Sequence, residues 1–260
     1  MKQLLLTTII SGCVATSSFA QQKPNIDSLV KVSKKTEVWE PVPTMVTPGK
    51  LASDAPSDAI VLFNGKNTNA FQKEGGGAIG WKMDAQGILN VVKGSGNIET
   101  KEKFGSCQLH IEWKSPAIIA GAGQSRGNSG IFLMGKYELQ VLDSYNNPTY
   151  SNGQAGSIYK QHIPLVNASK KPGEWQSYDI VFNAPRFFSD GTLQQPATIT
   201  VFHNGVLVQN NITIQGGTEW IGAASYKKHA DKESLVIQDH GMDGGNPVSF
   251  RNIWIRPLNN

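Results

Sequence analysis

Cysteine is almost missing from this 260-residue chain, which has only Cys13 and Cys107. Residues 1–20 read as an export signal. Lys2 is the positive start, 4–10 the apolar core, and Ser18-Phe19-Ala20 a small-residue cleavage site. Cleavage there starts the mature chain at Gln21 and leaves Cys107 alone, so no intramolecular disulfide can form. Cys107 lies in an alternating pattern and reads as a buried, inert thiol. A lipoprotein signal competes, because Ile10-Ser11-Gly12-Cys13 looks like a lipobox. The expected location is periplasmic or extracellular, either soluble or lipid-anchored through Cys13.

Charge is sparse as well. Asp, Glu, Lys and Arg make up 17% of the chain and the formal net charge is +4, one unit of it from Lys2. Without a basic run, this gives no ground for a nucleic-acid partner. No later segment approaches the roughly 20 apolar residues of a membrane helix. No 3.6-residue periodicity of any length appears, which argues against a helical domain. No strand-Gly-x-Gly-x-x-Gly-helix unit is present, so a nicotinamide cofactor is not expected. Residues 21–57 read as a leader punctuated by Pro41, Pro43, Pro48 and Pro56, each of which disfavours regular structure.

Alternation and turns are abundant. Segments 60–63, 88–92, 107–113, 130–134, 137–142, 178–182, 197–203, 206–210, 235–239 and 248–256 read as strands. Asn204-Gly205 stands between two β-branched runs and predicts a type I′ hairpin, whose two turn positions need positive φ. Many short strands, with 27 glycines in the chain, indicate an all-β sandwich or jelly roll over residues 58–258. That length is enough for one well-buried core.

The stretch 121–144 stands out. A polar, glycine-rich loop containing Arg126 and Asn128 runs into a hairpin. In the second strand, Tyr137, Leu139 and Val141 share one face, and Glu138 and Gln140 the other. Two readings stand: the floor of a sugar-binding cleft, or a solvated outer face. The following segment, 143–175, lacks a clear strand, and loops that long are usually functional. It offers Asp143, Gln154 and the tyrosines Tyr145, Tyr150 and Tyr159, which pair a stacking surface with a polar tip.

Several motifs in this order resemble the 3-keto-disaccharide hydrolase domain family. They are Leu62-Phe63-Asn64-Gly65-Lys66, Arg126-Gly127-Asn128-Ser129-Gly130, Tyr137 through Tyr145, Asn152-Gly153-Gln154-Ala155-Gly156, Gly173-Glu174-Trp175, Gln238-Asp239-His240-Gly241 and Phe250-Arg251-Asn252-Ile253-Trp254. The resemblance covers roughly residues 58–257. It implies a concanavalin A-like β-sandwich that acts on oxidised sugars outside the cytoplasm.

Two chemistries are open. Ordinary glycoside hydrolysis needs two carboxyl groups, and Glu138 with Asp143 is the available pair; Gln140 stands where concanavalin-like β-glucanases carry a carboxylate. A sugar already oxidised at C3 needs less, because its ketone acidifies the C2 hydrogen and the bond can break by elimination. That route needs a base, an electrophile at the ketone oxygen and an acid for the leaving group. Glu138 is the candidate base, His240 the second acid/base group and Arg126 the enolate stabiliser. Asn128, Gln140, Asp143, Tyr145, Gln154, Tyr159 and Gln238 are the candidate sugar contacts. Asp239 reads as a loop anchor. His110 and Glu112 share a sheet face, either solvated or a weak metal pair. Asp239, Asp243 and Asn246 offer a calcium site without a strict loop signature, so the metal requirement stays open. The expected partner is a small sugar substrate, and nothing indicates the oligomeric state. A non-catalytic carbohydrate-binding module on the same fold is the remaining alternative.

Overall fold

A computed structural model describes residues 25–241 and 247–258; the expected signal peptide and Cys13 lie outside them. Contacts divide the chain at Met45/Val46. In the first unit, Ile26–Ser33 is an α-helix, and Asn25 Oδ1 caps it by accepting from Asp27 N at 3.0 Å. The sequence pattern predicts no helix here. Its signals were the Asn cap and the spacing of Ile26, Leu29 and Val30, spread over too few residues to stand out as a period.

The second unit holds the strands. In chain order they are β1 (Ile60–Phe63), β2 (Phe71–Lys73), β3 (Lys82–Met83), β4 (Leu89–Asn90), β5 (Ile98–Phe104), β6 (Cys107–Lys114), β7 (Ser129–Leu133), β8 (Tyr137–Val141), β9 (Gln176–Asn183), β10 (Arg186–Phe187), β11 (Leu193–Gln195), β12 (Thr198–His203), β13 (Val206–Thr213), β14 (Glu233–Ile237) and β15 (Ser249–Pro257). One sheet has eight strands in the order β13-β12-β9-β6-β15-β4-β3, with β1 also on β15. A second has five, β2-β5-β14-β7-β8, and β10 and β11 pair as a separate two-stranded ribbon. All pairings are antiparallel, as expected for an all-β sandwich. Asn204 and Gly205 have φ of 53° and 79°, the conformation a type I′ turn requires.

The inner faces meet in an apolar layer. Leu109, Ile111, Tyr178, Ile180, Phe182 and Val201 from the larger sheet oppose Ile131, Tyr137, Leu139, Val141, Leu235 and Ile237 from the smaller. Tyr137 and Phe182 ring centroids lie 5.7 Å apart across this layer, and Tyr178 donates to Gln140 O at 2.8 Å. A buried Tyr needs such a partner for its hydroxyl. Cys107 is buried in β6, and burial pushes its thiol up to about 12, so it stays protonated and inert.

The outer face of the larger sheet is polar. His110 pairs across the strands with Asp179 on β9 and Trp254 on β15. A bulge on β15, with Asn252 at φ 45°, turns both Arg251 and Trp254 outward. His110 Nδ1 meets Asp179 at 2.6 Å, its Nε2 lies 3.6 Å from Glu112, and Trp254 stacks on its ring. Burial opposes charging of this imidazole. The hydrogen bonds and fields of Asp179 and Glu112 outweigh it and push His110 up to about 9. Because the folded value is raised, the stabilisation is complete below the ordinary 6.5 and is lost as pH climbs through about 9. Thermal melts of wild type and His110→Gln from about pH 6 to pH 10 should therefore converge as pH rises. A gap that is constant or widens would show that His110 contributes by packing alone.

Candidate functional site

The outer face of the smaller sheet carries the cleft. Register places Glu138 opposite Phe132, and Phe132 opposite Val236. The next row is Gln140 opposite Gly130, followed by Gln238, whose N donates to Gly130 O at 2.9 Å. Strand β8 is the sheet edge, and its free backbone groups must be satisfied. Gln140 N donates to Ser157 O at 3.0 Å, Gly156 N to Gln140 O at 3.0 Å and Tyr159 N to Glu138 O at 3.2 Å. On the same edge Glu138 N donates to Thr218 Oγ1 at 3.0 Å. These bonds draw segments 156–159 and 218–220 alongside Glu138.

A cavity of about 640 Å³ results, within the ordinary range for small-molecule sites. Its lining has two sides. Toward β14 lie Gln238, Asp239 and His240; beyond the free edge of β8 lie Tyr150, Tyr159, Lys160 and Trp220. Glu138, Gln140, Gln124, Asn128 and Phe132 lie between them. Tyr150 and Tyr159 join hydroxyls at 2.7 Å, and Lys160 Nζ donates to Trp220 O at 2.6 Å, which ties the two edge segments together.

Glu138 is 5% exposed. Burial pushes its carboxyl from 4.5 to about 8. Gly130 makes room for it: a Cβ there would lie 2.6 Å from Glu138 Oε1 and 2.7 Å from the Phe132 ring. Gln140 has two amide orientations to choose from. In one, Nε2 donates to Gln124 Oε1 at 2.9 Å. In the other it donates to Ser129 O at 3.0 Å and to Glu138 Oε1 at 3.3 Å. The second serves the buried carboxyl but turns Gln140 Oε1 onto Gln124 Oε1 at 2.9 Å, so it requires the Gln124 amide to turn with it. Asn128 Oδ1 and Gln238 Oε1 are buried and find no donor among the described residues. Buried acceptors without donors are rare in folded proteins, and a ligand hydroxyl is a donor these two can accept from.

The structure brings Glu138, Gln140, Asn128, Tyr159, Gln238 and His240 to one cavity. Arg126, Asp143, Tyr145 and Gln154 are placed elsewhere. Arg126 Nε donates to Asp143 at 2.7 Å and a terminal nitrogen donates to Tyr145 O at 2.8 Å, a buried brace for the loop. Gln154 Nε2 donates to Asn147 O at 3.3 Å. Asp239 anchors a loop as expected, accepting from Gly96 N at 3.0 Å, and also faces the cavity. Asp243 and Asn246, the rest of the calcium reading, lie outside the described residues. Lys160, Thr218 and Trp220 were not anticipated. They reach Glu138 only through the hydrogen bonds of an edge strand, which no local pattern encodes.

The raised value of Glu138 has a cost. Between about 4.5 and 8 the folded chain holds a proton that the unfolded chain releases, so stability falls as pH rises through that window. Each tenfold displacement of such an equilibrium is worth about 1.4 kcal/mol. Glu138→Gln should therefore melt higher than wild type at about pH 8, and the difference should shrink toward pH 5. A variant that melts lower at pH 8 would mean that the carboxylate is a structural support.

Comparison with known proteins agrees with this architecture. A crystal structure of a candidate glycosyl hydrolase from Parabacteroides distasonis is 55% identical, with a TM-score of 0.83, covering 86% of this chain and 96% of its own. Two further candidate glycosyl hydrolases from that organism share the fold. One is 20% identical, with a TM-score of 0.57 and coverage of 83% and 100%. The other is 22% identical, with a TM-score of 0.55 and coverage of 77% and 99%. No match was found among the curated proteins. Residues 58–256 match the family model as a whole, and the chain belongs to the 3-keto-alpha-glucoside-1,2-lyase-like domain family.

Proposed function

We propose that this protein is a carbohydrate-active enzyme that cleaves the glycosidic bond of 3-keto-glycosides by elimination, followed by hydration. The family and the relatives described as candidate glycosyl hydrolases support the enzyme class. The observation that carries the mechanism is a single buried carboxyl, Glu138, raised to about 8 in a cavity that it shares with amides, aromatics, Lys160, His240 and the part-exposed Asp239. Its expected partner in a two-carboxylate mechanism, Asp143, is bound to Arg126. Asp239, the carboxylate that does share the cavity, is bonded to Gly96 N.

The steps follow from the substrate. The Glu138 carboxylate takes the C2 proton. The C2–H electron pair enters the C2–C3 bond, and the ketone oxygen becomes an enolate. The enolate re-forms the ketone, creates a C1–C2 double bond and expels the C1 oxygen with the aglycone. A proton donor converts that oxygen to an alcohol. Water adding across C1–C2 then completes a net hydrolysis. A base is most effective when its pKa lies near the working pH, and about 8 leaves both forms of Glu138 populated at neutrality. Gln238 and His240, on the β14 side, face the ketone in this arrangement. Lys160 keeps N–H donors beyond its bond to Trp220 O and takes the leaving oxygen. Arg126, assigned to the enolate from sequence, instead orders the loop that presents Asn128.

The test is release of aglycone from a glucoside and from its 3-keto form by the purified protein. Release from the keto form alone is expected, rising with pH toward about 8. Glu138→Gln should lower turnover at least about 100-fold while folding normally, within the range for losing an acid/base group. Comparable release from both substrates would favour a conventional glycosidase, and release from neither a binding module.

A further inference from the structure

The asymmetry of the cavity bears on which aglycone the enzyme takes, and this inference rests on the cleavage proposed above. From β14 to β8 is two strand spacings, roughly 9–10 Å, so a sugar ring over Glu138 that turns its C3–C4 edge to Gln238 sends its C1 substituent past β8 toward the segments that close its edge. The surface there is aromatic. Trp220 is 72% exposed and its neighbour Ile221 75%, with Tyr150 and Tyr159 set edge-to-face at 6.2 Å beside them. Of these exposed side chains Trp220 lines the cavity itself, together with both tyrosines, so the aromatic surface is continuous with the cleft rather than an isolated exposed residue.

Polar groups on that side are already engaged. The Tyr150 and Tyr159 hydroxyls bond each other, Lys160 Nζ bonds Trp220 O, and Thr218 Oγ1 accepts from Glu138 N. What capacity remains is two N–H of Lys160, the O–H of Thr218, one tyrosine O–H and the spare lone pairs of the tyrosine oxygens, fewer groups than the β14 side and the strand floor offer. A hexose has several hydroxyls to satisfy, and each polar group it buried there without a partner would cost affinity. A flat aromatic ring needs only the faces of Trp220 and the tyrosines and one donor at the glycosidic oxygen. From β7 toward β14 the case is opposite: Asn128 Oδ1 and Gln238 Oε1 accept hydroxyl donors and suit the sugar.

We infer that the leaving group of the substrate is an aromatic alcohol seated on Trp220, with the sugar held on the amide side. Binding can be tested without turnover. Calorimetry with phenyl and methyl glucosides should show at least about tenfold tighter binding of the phenyl compound to wild type, and Trp220→Ala should reduce that preference to near unity. Kinetics then follow with phenyl and methyl 3-keto-glucosides and a 3-keto-disaccharide. Wild type should prefer the phenyl compound in kcat/KM, and Trp220→Ala should lose that preference mainly through KM. Equal binding of the two glucosides, a wild-type preference for the disaccharide, or a phenyl preference that survives Trp220→Ala would each overturn the inference. Trp220-dependent phenyl binding without cleavage of any keto substrate would support the aglycone assignment and refute the proposed reaction.

Discussion

The site depends on the exposed backbone edge of β8. An edge strand left bare is both unsatisfied and prone to pairing with another chain. This one is closed by the chain itself, through Ser157 O, Gly156 N, Tyr159 N and the Thr218 hydroxyl. The same bonds that satisfy the edge raise a wall beside Glu138. Without them, Glu138 and Gln140 would be an ordinary solvated pair on the outer face of a sheet.

Enclosure changes the chemistry of that carboxyl. In water it would be a weak base. Behind Tyr150, Tyr159 and Trp220, over the gap that Gly130 leaves, it is pushed to about 8 by desolvation. Its negative charge is felt in turn by Tyr150: burial, the bond to Tyr159 and the field of Glu138 together hold that hydroxyl well above its ordinary value. The larger sheet handles its buried charge differently. There His110 is matched by Asp179 and Glu112, and Glu112 is held down at about 2, burial being outweighed by His110, Asn252 and Arg251. One outer face balances its charges, as structural networks do. The other leaves a buried acid without an ion pair among the described residues, which is the pattern expected of a functional group.

Much of the fold was legible because strand alternation and turn chemistry are local. The ten expected strands correspond to β1, β4, β6, β7, β8, β9, β12, β13, β14 and β15. Strand β5 was not read, because Lys101, Glu102 and Lys103 interrupt its alternation while Ile98, Thr100 and Phe104 carry the buried positions. Glu138 and Gln140 on one face of β8 could be read from the two-residue period, and the structure puts both in the cavity. Arg126 could not be placed, because its partner Asp143 lies 17 residues on and only the folded loop joins them. Trp220 and Lys160, 60 residues apart, meet through one hydrogen bond, and no spacing in the chain announces it.

The central claim is that Glu138 removes the proton at C2 of a 3-keto sugar. A 3-keto-glycoside carrying deuterium at C2 tests it most directly, with rate and label followed together. The account predicts a slower reaction wherever proton abstraction limits the rate, and loss of the label from C2 to solvent. A substrate cleaved at the same rate with all of its C2 deuterium retained would contradict elimination and point to displacement at C1.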